Sequence, residues 1–212
     1  MKMIKPIGAI LLALLVLNAC GGNEENNESN TAADQNQNAQ PSASQDINFE
    51  IEDFTYTNQD KEKVSLEDLK GTYWVADFIF TSCETACLTM SPNMARMQQQ
   101  LKDEEMEDVH LISFSADPNV DTPEVLKEYG KKYGADFSKW DFLTGYSQKE
   151  IEKFAADSFK TLVSKVEGED QVAHGTSFYL INPEGQAIKK YPGLKASSSQ
   201  SIIEDIKKLE NQ

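Results

Sequence analysis

Apolar and polar positions along residues 46–212 follow two periods, and each change of period marks an element. Tyr73-Trp74-Val75-Ala76-Asp77-Phe78-Ile79-Phe80 is a dense β-branched and aromatic run, opened by Gly71 and closed by Thr81-Ser82, as suits a central buried strand. Leu88, Met90, Met94, Met97 and Leu101 then recur at helical spacing, with Pro92 expected inside the first turn. A strand is expected near Val109–Ser115, a turn at Asp117-Pro118, and a helix over about Pro123–Tyr133 capped by Asp121 or Thr122. Past Phe142-Leu143-Thr144-Gly145 the pattern predicts a helix at Ser147–Asp157 and strands at Phe159–Val166 and Thr176–Ile181. Asn182-Pro183-Glu184-Gly185 turns the chain into a strand at Gln186–Tyr191, and Ile202, Ile203, Ile206 and Leu209 line one face of a last helix, Ser198–Leu209. Residues 46–69 read as an amino-terminal hairpin. This order predicts an α/β domain with a thioredoxin-like fold, three layers around a central mixed sheet, extended by that hairpin.

The first 45 residues lack such periodicity. Lys2 and Lys5 precede an apolar run, Ile7 to Leu17, that falls short of the roughly 20 residues a spanning helix needs, so residues 1–19 read as a signal segment. Leu17-Asn18-Ala19-Cys20, followed by Gly21-Gly22, is similar to a bacterial lipobox, with Asn18 the departure, and makes Cys20 the expected lipidation position. Residues 20–45 carry almost no large apolar side chain and read as a disordered tether. The domain at 46–212 is then expected at the cell membrane, lipid-anchored, on the extracytoplasmic face. With 20 basic and 35 acidic residues the net charge is −15, and loss of Lys2 and Lys5 with the signal takes it to −17. A polyanion is repelled by such a chain, which excludes nucleic acid as a partner class.

Of the three cysteines, Cys83 and Cys87 are left to the domain. A staple closing so short a loop removes little chain entropy, so in an oxidising compartment the pair reads as a redox disulfide or a metal clamp. Cys83 is expected where strand hands over to helix and Cys87 near the first turn, where the helix dipole lowers the pKa of both thiols. The chain has two histidines. His110 enters a predicted strand and reads as structural, whereas His174 is expected in a loop facing the cysteine-bearing strand end. Two thiolates favour Cu(I) or zinc, and an added imidazole in a trigonal set accommodates Cu(II) as well; zinc lacks the fourth protein ligand of its structural sites. Met90, Met94 and Met97 read as core rather than as copper ligands, and turn and cap duties account for Asp117 and Asp121. Asp77, on the strand before the cysteines, reads either as an acceptor or proton relay tuning the site or as a hydrogen-bonded structural aspartate.

Four blocks in order carry a family resemblance. They are Asp77-Phe78-Ile79-Phe80-Thr81-Ser82-Cys83-Glu84-Thr85-Ala86-Cys87; Ser115-Ala116-Asp117-Pro118 with Asp121-Thr122-Pro123-Glu124; Trp140-Asp141-Phe142-Leu143-Thr144-Gly145; and His174 ahead of Phe178-Tyr179-Leu180-Ile181-Asn182-Pro183-Glu184-Gly185. From about Ile47 to Leu209 the chain resembles the Sco/SenC family of copper-binding, thioredoxin-fold assembly factors. The resemblance implies Cys83, Cys87 and His174 as ligands of Cu(I) and Cu(II), and a role in maturing the CuA centre of cytochrome c oxidase. Its implied partners are the CuA-bearing subunit and a thiol-disulfide reductant protein. Many members have proline after each cysteine where this chain has Glu84 and Leu88, which leaves the balance between metal holding and thiol exchange open. A thiol-disulfide oxidoreductase using Cys83 and Cys87 as its catalytic redox pair is the alternative reading. A peroxiredoxin-like thiol peroxidase fits less well, because Thr81 and Ser82 do not match the threonine and proline ahead of its reactive cysteine.

Overall fold

The computed structural model describes residues 44–165, 168 and 170–211. The signal segment, Cys20 and the tether up to residue 43 lie outside the described residues. The elements run β1 (Gln45–Glu50), β2 (Thr55–Thr57), β3 (Lys63–Ser65), α1 (Leu66–Leu69), β4 (Trp74–Ile79), α2 (Cys87–Asp103), β5 (His110–Ser115) and α3 (Pro123–Lys132). After these come β6 (Trp140–Leu143), α4 (Gln148–Phe159), β7 (Val163–Lys165), β8 (Val172–His174), β9 (Ser177–Ile181), β10 (Gln186–Pro192) and α5 (Ser198–Glu210).

Six strands form one sheet in the order β1-β10-β9-β4-β5-β6. β4, β5 and β6 are parallel, and β9, β10 and β1 continue antiparallel. Every residue of β4 is buried, as its unbroken apolar run requires of a strand covered on both faces. Its side chains divide by alternation. Phe78 stacks on Phe114 and meets Phe159 under α4, while Asp77 reaches Ser113 on the face where Tyr129 of α3 bonds Ser91 of α2. The mixed sheet between helical layers is the expected thioredoxin-like arrangement.

Several boundaries differ from the sequence expectation for physical reasons. The amino-terminal hairpin exists as β2 and β3, but β1 instead joins the main sheet as its edge, paired with β10. β6 was not expected from four residues, Trp140-Asp141-Phe142-Leu143, which are too few to show a period. Phe159 ends α4 rather than starting a strand, and Lys160 at φ 49° turns the chain away. The strand that follows is only Val163–Lys165, and it pairs with β8 in a two-stranded sheet of its own. Thr122 caps α3 by accepting from the Val125 N–H, so Asp121 is free for other bonds. Pro92 is the sixth residue of α2, past the first turn, where it withholds the N–H that the Leu88 carbonyl would accept.

Candidate metal centre

β4 delivers the chain to the carboxyl edge of its parallel partners, and Asp121 catches it there. Thr81 donates to the Asp121 carboxylate from its backbone N–H (3.2 Å) and its Oγ1 (2.5 Å), and Ser115 Oγ donates to the other oxygen at 2.5 Å. Cys83 follows with its N–H on the Phe80 carbonyl at 3.2 Å, and Cys87 is the first residue of α2. The four-residue spacing folds the pair together, with the Cys87 N–H donating to Cys83 Sγ at 3.4 Å. His174 closes the group from β8 rather than from the loop expected, with Nε2 3.6 Å from Cys87 Sγ. The three candidate donor atoms lie within 4.8 Å of one another, and both cysteines are free thiols.

The electrostatics divide the two sulfurs. Burial pulls the Cys83 thiol up, but the backbone N–H groups of Cys87 and Thr85, with the side chains of the same residues, outweigh it and hold Cys83 below its ordinary value. Cys87 moves the other way. Burial pushes it far above the ordinary thiol range, with the negative charges of Cys83 and Asp77 adding to the rise. The expectation that one helix terminus lowers both pKa values is therefore corrected: Cys83 alone is held as the readier thiolate.

His174 Nδ1 lies 3.0 Å from the Gly175 carbonyl, which only accepts, so the ring proton belongs there and Nε2 presents its lone pair to the sulfurs. Burial lowers the imidazole pKa, which favours the neutral ring a metal requires. The edge of the ring stands against Phe80, 5.6 Å between centroids at 89°. Gly175 beside it is closely packed, and a Cβ there would meet Thr161 Oγ1 at 2.0 Å and require that side chain to move.

The remaining candidates stay apart. His110 starts β5 opposite Trp74, at the other end of β4 from the cysteines, and burial lowers its pKa. Met90, Met94 and Met97 are fully buried in the core. Asp77 is buried, accepts from Ser113 Oγ at 2.6 Å, and is raised to about 7 by burial; its second oxygen has no hydrogen-bond partner among the described residues. It acts on Cys87 through its charge. Leu88, the residue after Cys87, is exposed. Sequence reasoning missed Thr85, whose Oγ1 is 3.8 Å from Cys83 Sγ, and Lys165, which pairs with Asp117 behind the site.

The donor set fits a soft or borderline ion. Donors bonded at about 2.0–2.3 Å to one ion in a trigonal set stand roughly 3.5–4 Å apart, and the Cys87–His174 pair already has that separation.

The SCO1/SenC family model matches residues 42–211. The SCO1 protein homolog of Bacillus subtilis (strain 168) is 47% identical over 207 residues, covering 98% of this chain and 97% of its own length. The crystal structure of a SCO1/SenC family lipoprotein from Bacillus anthracis str. Ames superposes with a TM-score of 0.74 at 48% identity, covering 78% of this chain and 97% of that one. BsSco, described as a member of the Sco family of cytochrome c oxidase assembly proteins and as having a disulfide switch, gives 0.70 at 52% identity, covering 76% and 94%. Arabidopsis thaliana ScoI with copper bound gives 0.64 at 27% identity, covering 74% and 98%. The buried thiols, the facing imidazole and a family match that spans the whole described domain lead to one conclusion: this chain belongs to the SCO1/SenC family.

Proposed function

We propose that this chain is a lipid-anchored, extracytoplasmic copper-binding assembly factor for the CuA centre of cytochrome c oxidase, holding its copper cargo through Cys83, Cys87 and His174. The observation that carries this reading is the convergence of the three donor atoms within 4.8 Å. A copper-bound relative, a relative described as an oxidase assembly protein and one described as a lipoprotein support it. The lipid anchor rests on Cys20 and the domain division 1–19, 20–45 and 46–212 on the sequence; no helix of the described residues is long and apolar enough to cross a membrane. Cys83 supplies the readier thiolate and Cys87 gives up its proton on binding. His174 adds a neutral nitrogen oriented by Gly175. Two sulfurs alone suit Cu(I); the imidazole is what extends the site to Cu(II).

The purified protein is expected to bind about one copper per chain with a thiolate-to-Cu(II) charge-transfer band. His174→Ala should weaken Cu(II) more than about 100-fold, beyond the loss typical of groups that merely orient a ligand, and Cu(I) far less. Unchanged Cu(II) affinity in that variant refutes the ligand assignment.

The opposed pKa shifts of the cysteines favour a second reading, reduction of a partner disulfide before metal insertion. The Cys83 thiolate attacks one partner sulfur and expels the other as a thiolate. Cys87 then loses its proton, with His174 Nε2 the nearby acceptor, and attacks Cys83 Sγ. The Cys83–Cys87 disulfide forms, the partner leaves with two thiols, and a thiol reductant protein must restore the pair. In cells carrying Cys83→Ser, rescue of oxidase by added copper indicates delivery, and rescue only by a thiol reductant indicates the redox role.

A further inference from the structure

His174 stands on the β7–β8 hairpin, which shares no strand with the six-stranded sheet. Two three-residue strands are marginal by themselves, so something outside the hairpin must hold the imidazole where it is. The register shows what does. Val163 pairs with His174 and Lys165 with Val172, so alternation places all four side chains on one face of the hairpin. Val163 and Val172 are buried and Ala173, on the other face, is exposed, so this shared face lies against the body of the domain. Its two polar ends then have different destinations. His174 meets the sulfurs, and Lys165 Nζ meets Asp117 Oδ2 at 2.5 Å.

Asp117 is buried, and its other oxygen has no hydrogen-bond partner among the described residues. Such a carboxylate depends on its cation far more than an exposed one such as Glu124 depends on Lys61. The anchor also reaches the cysteine loop. The Asp117 N–H donates to Ser115 Oγ at 3.1 Å, Ser115 Oγ donates to Asp121, and Asp121 holds Thr81, two residues before Cys83. Gln171 Nε2 adds a direct tie to the Ser82 carbonyl at 3.2 Å, and the Lys165 N–H a tie to Glu152 of α4 at 3.0 Å.

We propose that Lys165 is a positioning residue for the metal centre: its ion pair with buried Asp117 clamps the hairpin to the body of the domain, so that His174 stands ready beside both sulfurs before an ion arrives. This rests on the Cys83, Cys87 and His174 reading above. The clamp bonds directly the hairpin that carries the imidazole and reaches the cysteine loop only through Ser115, Asp121 and Thr81, so its loss weakens first the oxidation state that needs the nitrogen. A competent arrangement that is populated only part of the time lowers apparent affinity in proportion.

The test compares Lys165→Met, Lys165→Arg and the double variant Lys165→Met with Asp117→Asn, which leaves no stranded carboxylate to unfold the chain. Copper is titrated into the full chain, with Cu(II) followed by its charge-transfer band and Cu(I) by competition with a chromophoric chelator; the unfolding midpoint of the copper-free protein is taken alongside. Lys165→Met and the double variant should lose about 10- to 100-fold in Cu(II) affinity with an altered band, against less than about threefold for Cu(I), and Lys165→Arg should recover most of the loss. A folded double variant with native Cu(II) affinity and a native band overturns the proposal, as do equal losses for both oxidation states. His174→Ala run beside them separates the two failures. If it alone loses Cu(II), only the clamp is refuted; if it too binds Cu(II) normally, the ligand assignment falls first.

Discussion

The sulfurs and the imidazole of this site are mounted on two very different supports. Cys83 and Cys87 hang from the junction of β4 and α2, where every residue of the strand is buried and parallel and antiparallel neighbours pair on either side. His174 is carried by a short hairpin joined to the rest through a few polar bonds and two buried valines. The rigid support holds the two sulfurs that the proposed site uses for either oxidation state of copper. On the proposed ligand set, the lighter one holds the imidazole that extends the site from Cu(I) to Cu(II).

The largest expected effect comes from breaking the rigid support. Phe78→Ala removes a ring that stacks on Phe114 and meets Phe159, and should cost about 3–5 kcal/mol in urea unfolding, with Cu(I) and Cu(II) sites lost together as the fold melts. Comparable stability for Phe78→Ala and the native protein would contradict the contrast drawn above.

A pH effect of similar or smaller size belongs to the same support. Burial raises Asp77 from 3.8 to about 7, so over that window the folded chain keeps a proton that the unfolded chain has released. Its contribution to stability is complete below 3.8 and is lost as pH rises through about 7. Relative to Asp77→Asn, which has no such proton, native stability should decline across this window by at most about 4 kcal/mol. Denaturant melts at a series of pH values check it, and parallel profiles would show that Asp77 titrates normally.

The smallest effect sharpens the division within the sulfur pair. In the reduced, copper-free protein, iodoacetamide should alkylate Cys83 at least about tenfold faster than Cys87, with a pH midpoint below that of an ordinary thiol. Mass mapping of the first alkylated peptide reads this directly. Equal rates would remove the basis for assigning Cys83 as the attacking sulfur.

The core of the site was legible in the residues because its signals are local. Cys83 and Cys87 are four apart at the end of an unmistakable apolar run, and His174 is one of two histidines in the sequence, set just before the apolar run Phe178-Tyr179-Leu180-Ile181. The helices α2, α3, α4 and α5 followed from period, with Thr122 one of the two capping residues expected for α3. What escaped were elements too short for a period. β6 has four residues and β8 three, β7 keeps only Val163–Lys165 of the strand expected at Phe159–Val166, and β1 was assigned to the hairpin when its partner is β10, far along the chain.

The sequence by itself determined the class of domain, the identity of the sulfur pair and the imidazole that answers it, because hydrophobic period and donor chemistry are written in neighbouring residues. Only the tertiary structure decided that the two thiols are unequal, that Asp121 steadies Thr81 instead of capping a helix, and that Lys165 anchors the histidine hairpin on Asp117. Each of these depends on burial and on charges brought together across long stretches of chain, and desolvation has no value until the fold has removed the water.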